Sequence, residues 1–102
     1  MNFTTPAKTS IVYFTTHAPT RLGEALLARG YQVFEALSIS EVLYVCEHHN
    51  IAVILIAHDV EHFGLDEITS RYLTIQLKPA ATERDVLWEL SLLFQKGSRP
   101  VQ

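Results

Sequence analysis

The chain has 102 residues, eight Lys plus Arg against eleven Asp plus Glu, and a formal net charge of −3 with its five histidines neutral. With 48% apolar and 19% charged residues it can close one hydrophobic core, which argues against disorder and against a multi-domain layout. The basic residues lie far apart, so there is no electrostatic footprint for a phosphate backbone and no direct nucleic-acid binding is expected.

The single Cys46 excludes an internal disulfide framework and any multi-cysteine zinc site, and makes the reducing cytoplasm the expected compartment. The longest uninterrupted apolar run, Ile51 to Ala57, is seven residues long. A membrane-spanning helix needs roughly 20, so this run reads as a buried strand and no membrane role is expected. Residues 1–10 carry one lysine and no apolar stretch, and read as a leader rather than a secretory signal. The domain is expected over 11–97, with 98–102 as a frayed tail.

Ile11 to Thr15 is a β-branched and aromatic run, the composition of a buried first strand. Thr20 then caps a helix with Leu22, Ala25, Leu26 and Ala28 on one face, and Gly30 is placed to end it in a left-handed conformation. Tyr31 to Ala36 is a second strand. Ser38 and Glu41, three residues apart, form a capping box for a second helix whose Ile39, Val42, Leu43 and Cys46 recur at helical spacing.

The third strand is the apolar run 51–57. After the loop from His58 to Gly64, the spacing of Leu65, Ile68 and Tyr72 predicts a short third helix ending near Arg71. Leu73 to Leu77 alternates apolar and polar residues as a strand exposed on one face does, and Lys78-Pro79 stops it. Thr82 and Asp85 open a last helix with Val86, Leu87, Leu90, Leu93 and Phe94 on one stripe, stopping at Gly97-Ser98. Strict βα alternation with short links predicts an α/β fold with right-handed crossovers and a four-stranded parallel sheet covered by helices on both faces.

Several short motifs resemble the receiver domains of response regulators. Gly30-Tyr31, Glu35-Ala36-Leu37-Ser38 and Glu41 to Leu43 are similar to the first-helix end, second strand and second-helix start of that family. Asp59-Val-Glu-His-Phe-Gly64-Leu-Asp66 resembles the stretch from the phosphoacceptor aspartate to its downstream glycine and aspartate, which puts Asp59 at the acceptor position. Lys78-Pro79 resembles the receiver Lys-Pro, whose ammonium approaches the phosphoryl group. The resemblance runs over about residues 11–95 and implies a flavodoxin-like three-layer sandwich, a four-stranded parallel sheet in order 2-1-3-4 flanked by helices, and a role in bacterial signal transduction, a phosphorelay or transcription control.

Two departures bear on chemistry. Receivers hold Mg²⁺ with acidic residues just after the first strand, because a hard dication and an incoming phosphoryl group require concentrated oxygen ligands. Those positions here are Thr15, Thr16 and His17. Only 19 positions separate Asp59 from Lys78, enough for one crossover and one strand, so one βα unit of a full receiver is missing. A degenerate pseudo-receiver is therefore expected, in which Asp59 and Lys78 form a structural ion pair instead of an acyl-phosphate acceptor and its counter-cation.

Other chemistries find less support. His58 and His62 have a His-x-x-x-His spacing that suits zinc on a helix turn, but no third ligand stands at a recognisable interval, so solvated histidines are expected there and no cofactor. His48-His49 reads as a solvated helix end and Cys46 as a small core residue. No nucleophile elbow, Walker loop or dinucleotide fingerprint occurs, and an enzyme is not expected. Were there one, it would use His17, His58, Asp59 and Lys78, all at the same end of the sheet.

The last helix carries a different signal. Trp88 and Leu92 lie about 140° or more from the centre of its apolar stripe. The loss of one βα unit leaves the fourth strand as a sheet edge beside this helix, and a Trp next to an open edge suits an interface. The expected function is regulatory protein–protein interaction without Mg²⁺-dependent phosphorylation, with a protein partner or a homodimer formed through the last helix and the fourth-strand edge. The alternatives are a phosphoacceptor using Asp59, and a small metal- or ligand-binding domain or enzyme using the His58–His62 loop.

Overall fold

The computed structural model describes residues 9–17, 20–60 and 64–98, with side chains through residue 94. Strands β1 (Ser10–Phe14), β2 (Gln32–Ala36), β3 (Val53–Ile56) and β4 (Thr74–Gln76) alternate with helices α1 (Arg21–Ala28), α2 (Ile39–His48), α3 (Asp66–Thr69) and α4 (Glu83–Ser98). All neighbouring strands are parallel, as the alternation predicts, and the sheet order is β2-β1-β3-β4, as expected from the motif resemblance. Stepping from β1 outward to β2 and then back across to β3 puts α1 and α2 on opposite faces, since each crossover is right-handed. Accordingly α1 packs with α4 on one face and α2 with α3 on the other.

The two central strands are apolar because both their faces are covered. Ile11, Val12, Ile54, Leu55 and Ile56 are fully buried or within 1% of it, and Leu26, Val42, Ile68 and Leu90 seal the helices onto them. Each such side chain is worth about 1.5–3 kcal/mol relative to exposure. The third strand is shorter than the apolar run from which it is read. Ile51 and Ala52 lead into it, and Ala57 leaves it, its N–H donating to the Phe14 carbonyl.

Local signals set most of the boundaries. Thr20 accepts from the Gly23 N–H at 2.9 Å to start α1, and Gly30, at φ 97°, adopts the left-handed conformation that ends it. At α2 the Ser38 hydroxyl accepts from the Glu41 N–H, while the Glu41 carboxylate reaches one residue beyond the expected box, to the Leu37 N–H at 2.7 Å. Thr82 and Asp85 form the reciprocal box of α4, each side chain accepting from the other's N–H at 3.1 Å. Helix α3 is one turn, shorter than the pattern of Leu65, Ile68 and Tyr72 suggests, because those three side chains close the core around a turn.

Candidate functional site

Parallel strands deliver their C-terminal ends to one edge of the sheet, where sites of open α/β folds form. This edge carries Thr15, Thr16 and His17 after β1, His58 and Asp59 after β3, and Lys78 after β4. Thr15 is buried, and its hydroxyl turns back onto the backbone of His17 at 3.3 Å. The Thr16 hydroxyl donates to Asp59 Oδ2 at 2.6 Å. That hydrogen bond, helped by the nearby His58 and His17, holds the exposed Asp59 carboxyl below its ordinary range.

The expected ion pair is not formed. The partner of Asp59 is Thr16, and the cationic groups that act on it are His58 and His17, not Lys78. Lys78 is exposed, and with His58 it borders a hollow of about 200 Å³ walled by Tyr13, Leu22, Leu77 and Val86. Asp59 leaves β3 toward the β1 loop, and a hydroxyl directly across that gap satisfies it without drawing a lysine over the edge. Burial pushes the Tyr13 hydroxyl's pKa up, and the charge of Asp59 adds to the shift.

The fit to Mg²⁺ fails on donor chemistry. Where carboxylates would be required after β1 there are two hydroxyls and an imidazole; one hydroxyl is buried against backbone and the other is spent on Asp59. Among the described residues no group of three or more His, Cys, Asp or Glu side chains could hold a metal ion. The His58–His62 pair cannot be placed as a ligand set, because His62 lies outside the described residues. His58 itself is exposed beside the hollow with Lys78. Of the four residues grouped for catalysis, His17 and His58 flank Asp59, and Lys78 stands apart from it.

The histidines at the end of α2 are exposed but not merely solvated. His48 stacks on Tyr44 with ring centroids 4.1 Å apart, and His49 lies against Phe34 of β2 at 4.4 Å. Cys46 packs against the core, and burial raises its thiol pKa.

One constellation had no signal in the sequence. Glu35 of β2 accepts from both the Thr20 N–H, at 2.9 Å, and the Thr20 hydroxyl, at 2.5 Å, while that hydroxyl accepts from Gly23. A methyl group at Gly23 would collide with the Glu35 carboxylate. The N-terminus of α1 is thereby tied to the edge strand β2. Only the register of Tyr13 with Glu35, which orients both residues toward α1, could have suggested it.

The other feature is the β4–α4 edge. Trp88 is 63% exposed and Leu92 is 44% exposed, and Leu73 at the entrance to β4 is 53% exposed. Trp88 shares a shallow groove with Gln76, Leu77 and Lys78, and Leu92 shares a second with Thr74 and Ile75. The apolar patch of the last helix therefore adjoins the open strand. Among the described residues no helix is long and apolar enough to cross a membrane. Comparison with family models, curated proteins and solved structures yields no match.

Proposed function

We propose that this chain is a receiver-like regulatory domain that acts by protein contact at its β4–α4 edge and not by Mg²⁺-dependent phosphotransfer. The reading rests on one observation: Leu73, Trp88 and Leu92 stand exposed beside a strand that, among the described residues, has no neighbour on its outer side. Monomeric proteins avoid an open, uncharged strand flanked by large apolar groups, because it invites pairing with another chain. A role in signalling or transcription control follows from the motif resemblance at Asp59 to Asp66 and Lys78-Pro79.

An acyl phosphate at Asp59 would need its carboxylate free and its developing charge neutralised, whereas Asp59 is engaged by Thr16 and Lys78 lies away from it. Incubation with acetyl phosphate and Mg²⁺, read by intact mass, tests this. The expected spectrum is unchanged; a phosphoryl adduct lost in Asp59→Asn would overturn the proposal in favour of a phosphoacceptor.

A further inference from the structure

We propose that the partner at this edge is a second copy of the chain, joined by antiparallel pairing of β4 with its counterpart across a two-fold axis at Ile75. The inference rests on the contact reading above and names its occupant.

The backbone decides which groups are available. Ile54 donates to the Leu73 carbonyl and Leu77 donates to the Ile56 carbonyl, so residues 73, 75 and 77 face β3. The N–H and C=O groups of Thr74 and Gln76 point outward, since alternate residues of a strand serve opposite neighbours. In an antiparallel pair the outward residues exchange both bonds with the residue opposite. A two-fold axis at Thr74 or at Gln76 would use one such pair only. An axis at Ile75 places Thr74 opposite the second copy's Gln76 and Gln76 opposite its Thr74, satisfying every outward group.

The side chains agree with that register. The segment Leu73-Thr-Ile-Gln-Leu77 has a polarity pattern that reads the same in both directions. Turned on itself about Ile75, it sets Leu73 against Leu77 and Ile75 against Ile75, with the polar pair Thr74 and Gln76 on the alternate face; matched cross-strand pairs of this kind stabilise by about 0.2–1 kcal/mol each. No charge lies within it to oppose its own copy. The same two-fold exchanges the groove that holds Trp88, beside Gln76, with the groove that holds Leu92, beside Thr74. Trp88 of one copy then faces Leu92 of the other.

The segment 73–77 extends about 17 Å at roughly 3.4 Å per residue, and Leu73, Trp88 and Leu92 border it with large exposed apolar side chains that a second copy would cover.

Disulfide trapping in a Cys46→Ser background tests the register, alongside sedimentation velocity. In the expected register an equimolar mixture of Thr74→Cys and Gln76→Cys chains cross-links at least tenfold faster than Thr74→Cys alone. Ile75→Cys also links to itself, its Cα atoms standing about 4.5 Å apart across the axis. Gln76→Pro, which removes only an outward N–H, abolishes association while leaving the circular dichroism of the monomer unchanged. A chain that sediments as a monomer up to several hundred micromolar overturns the proposal, and so does a dimer that survives Gln76→Pro without cross-linking. The first outcome leaves the contact reading in place for a different protein; only Asp59-dependent phosphorylation removes that reading.

Discussion

The two edges of the sheet are finished differently. On β2 the charge of Glu35 lies within the strand and is anchored by Thr20, Phe34 is stacked by His49, and Gln32 accepts from the Ser10 hydroxyl at 3.1 Å. A charged residue in an edge strand discourages pairing with another chain. On β4 there is no charged residue from Tyr72 to Leu77, and the neighbouring helix adds an exposed Trp and Leu instead of a cover. The β2 side also exposes Leu27, Leu37 and Tyr44, so what separates the two edges is the strand itself: β2 carries an anchored charge and β4 carries none. The difference teaches that an exposed strand is informative only against the measures a protein takes to blunt it elsewhere.

Substitutions can break either half of that contrast. The largest effect is expected at the β4 edge. Trp88→Glu should weaken association by about 2 kcal/mol, roughly 30-fold, as loss of an aromatic anchor does. The same change should shift the unfolding free energy of the monomer by less than about 0.5 kcal/mol, since the residue is mostly exposed. At β2, Thr20→Ala removes the cap of α1 and the hydroxyl's donation to Glu35, costing about 1 kcal/mol in a urea titration. Gly23→Ala pushes the flexible Glu35 carboxylate off Thr20, but the gain of about 1 kcal/mol in helix propensity offsets that loss, so unfolding stability should change by less than about 1 kcal/mol.

The smallest effect concerns Asp59. Its carboxyl is depressed in the folded state, so its contribution to stability is present above the ordinary carboxylate pKa and is lost as pH falls through the folded value. Being exposed, it sharpens the comparison through titration and not through energy. In Thr16→Val the Asp59 carboxyl, followed by carbon NMR, should titrate at higher pH than in the wild type. An unchanged titration would show that the Thr16 hydroxyl does not set its charge.

How far the sequence carries this picture depends on the range of the interaction. Caps are local: Thr20, Ser38 and Thr82 each meet a partner three residues on, and all three mark helix starts as their spacing predicts. The parallel sheet and its two helical layers follow from βα alternation and crossover handedness, the strand order from the motif resemblance, and the exposure of Trp88 and Leu92 from helical periodicity. The pairing of side chains at the sheet edge is not local. Asp59 and Lys78 arrive at the same end of the sheet, as strand direction requires, yet Thr16 takes the carboxylate across 43 positions of chain. Whether two loop residues meet depends on exit directions that no spacing encodes. Glu35 and Thr20 were invisible for the same reason, being joined by the packing of α1 on β2.

Two copies of the chain are expected to join through the β4–α4 edge. Sedimentation velocity over a concentration series, comparing the wild type with Trp88→Glu, tests it most directly. The account predicts a reversible dimer for the wild type and a folded monomer for the variant; identical monomeric behaviour of the two chains at every concentration would contradict self-association through this edge.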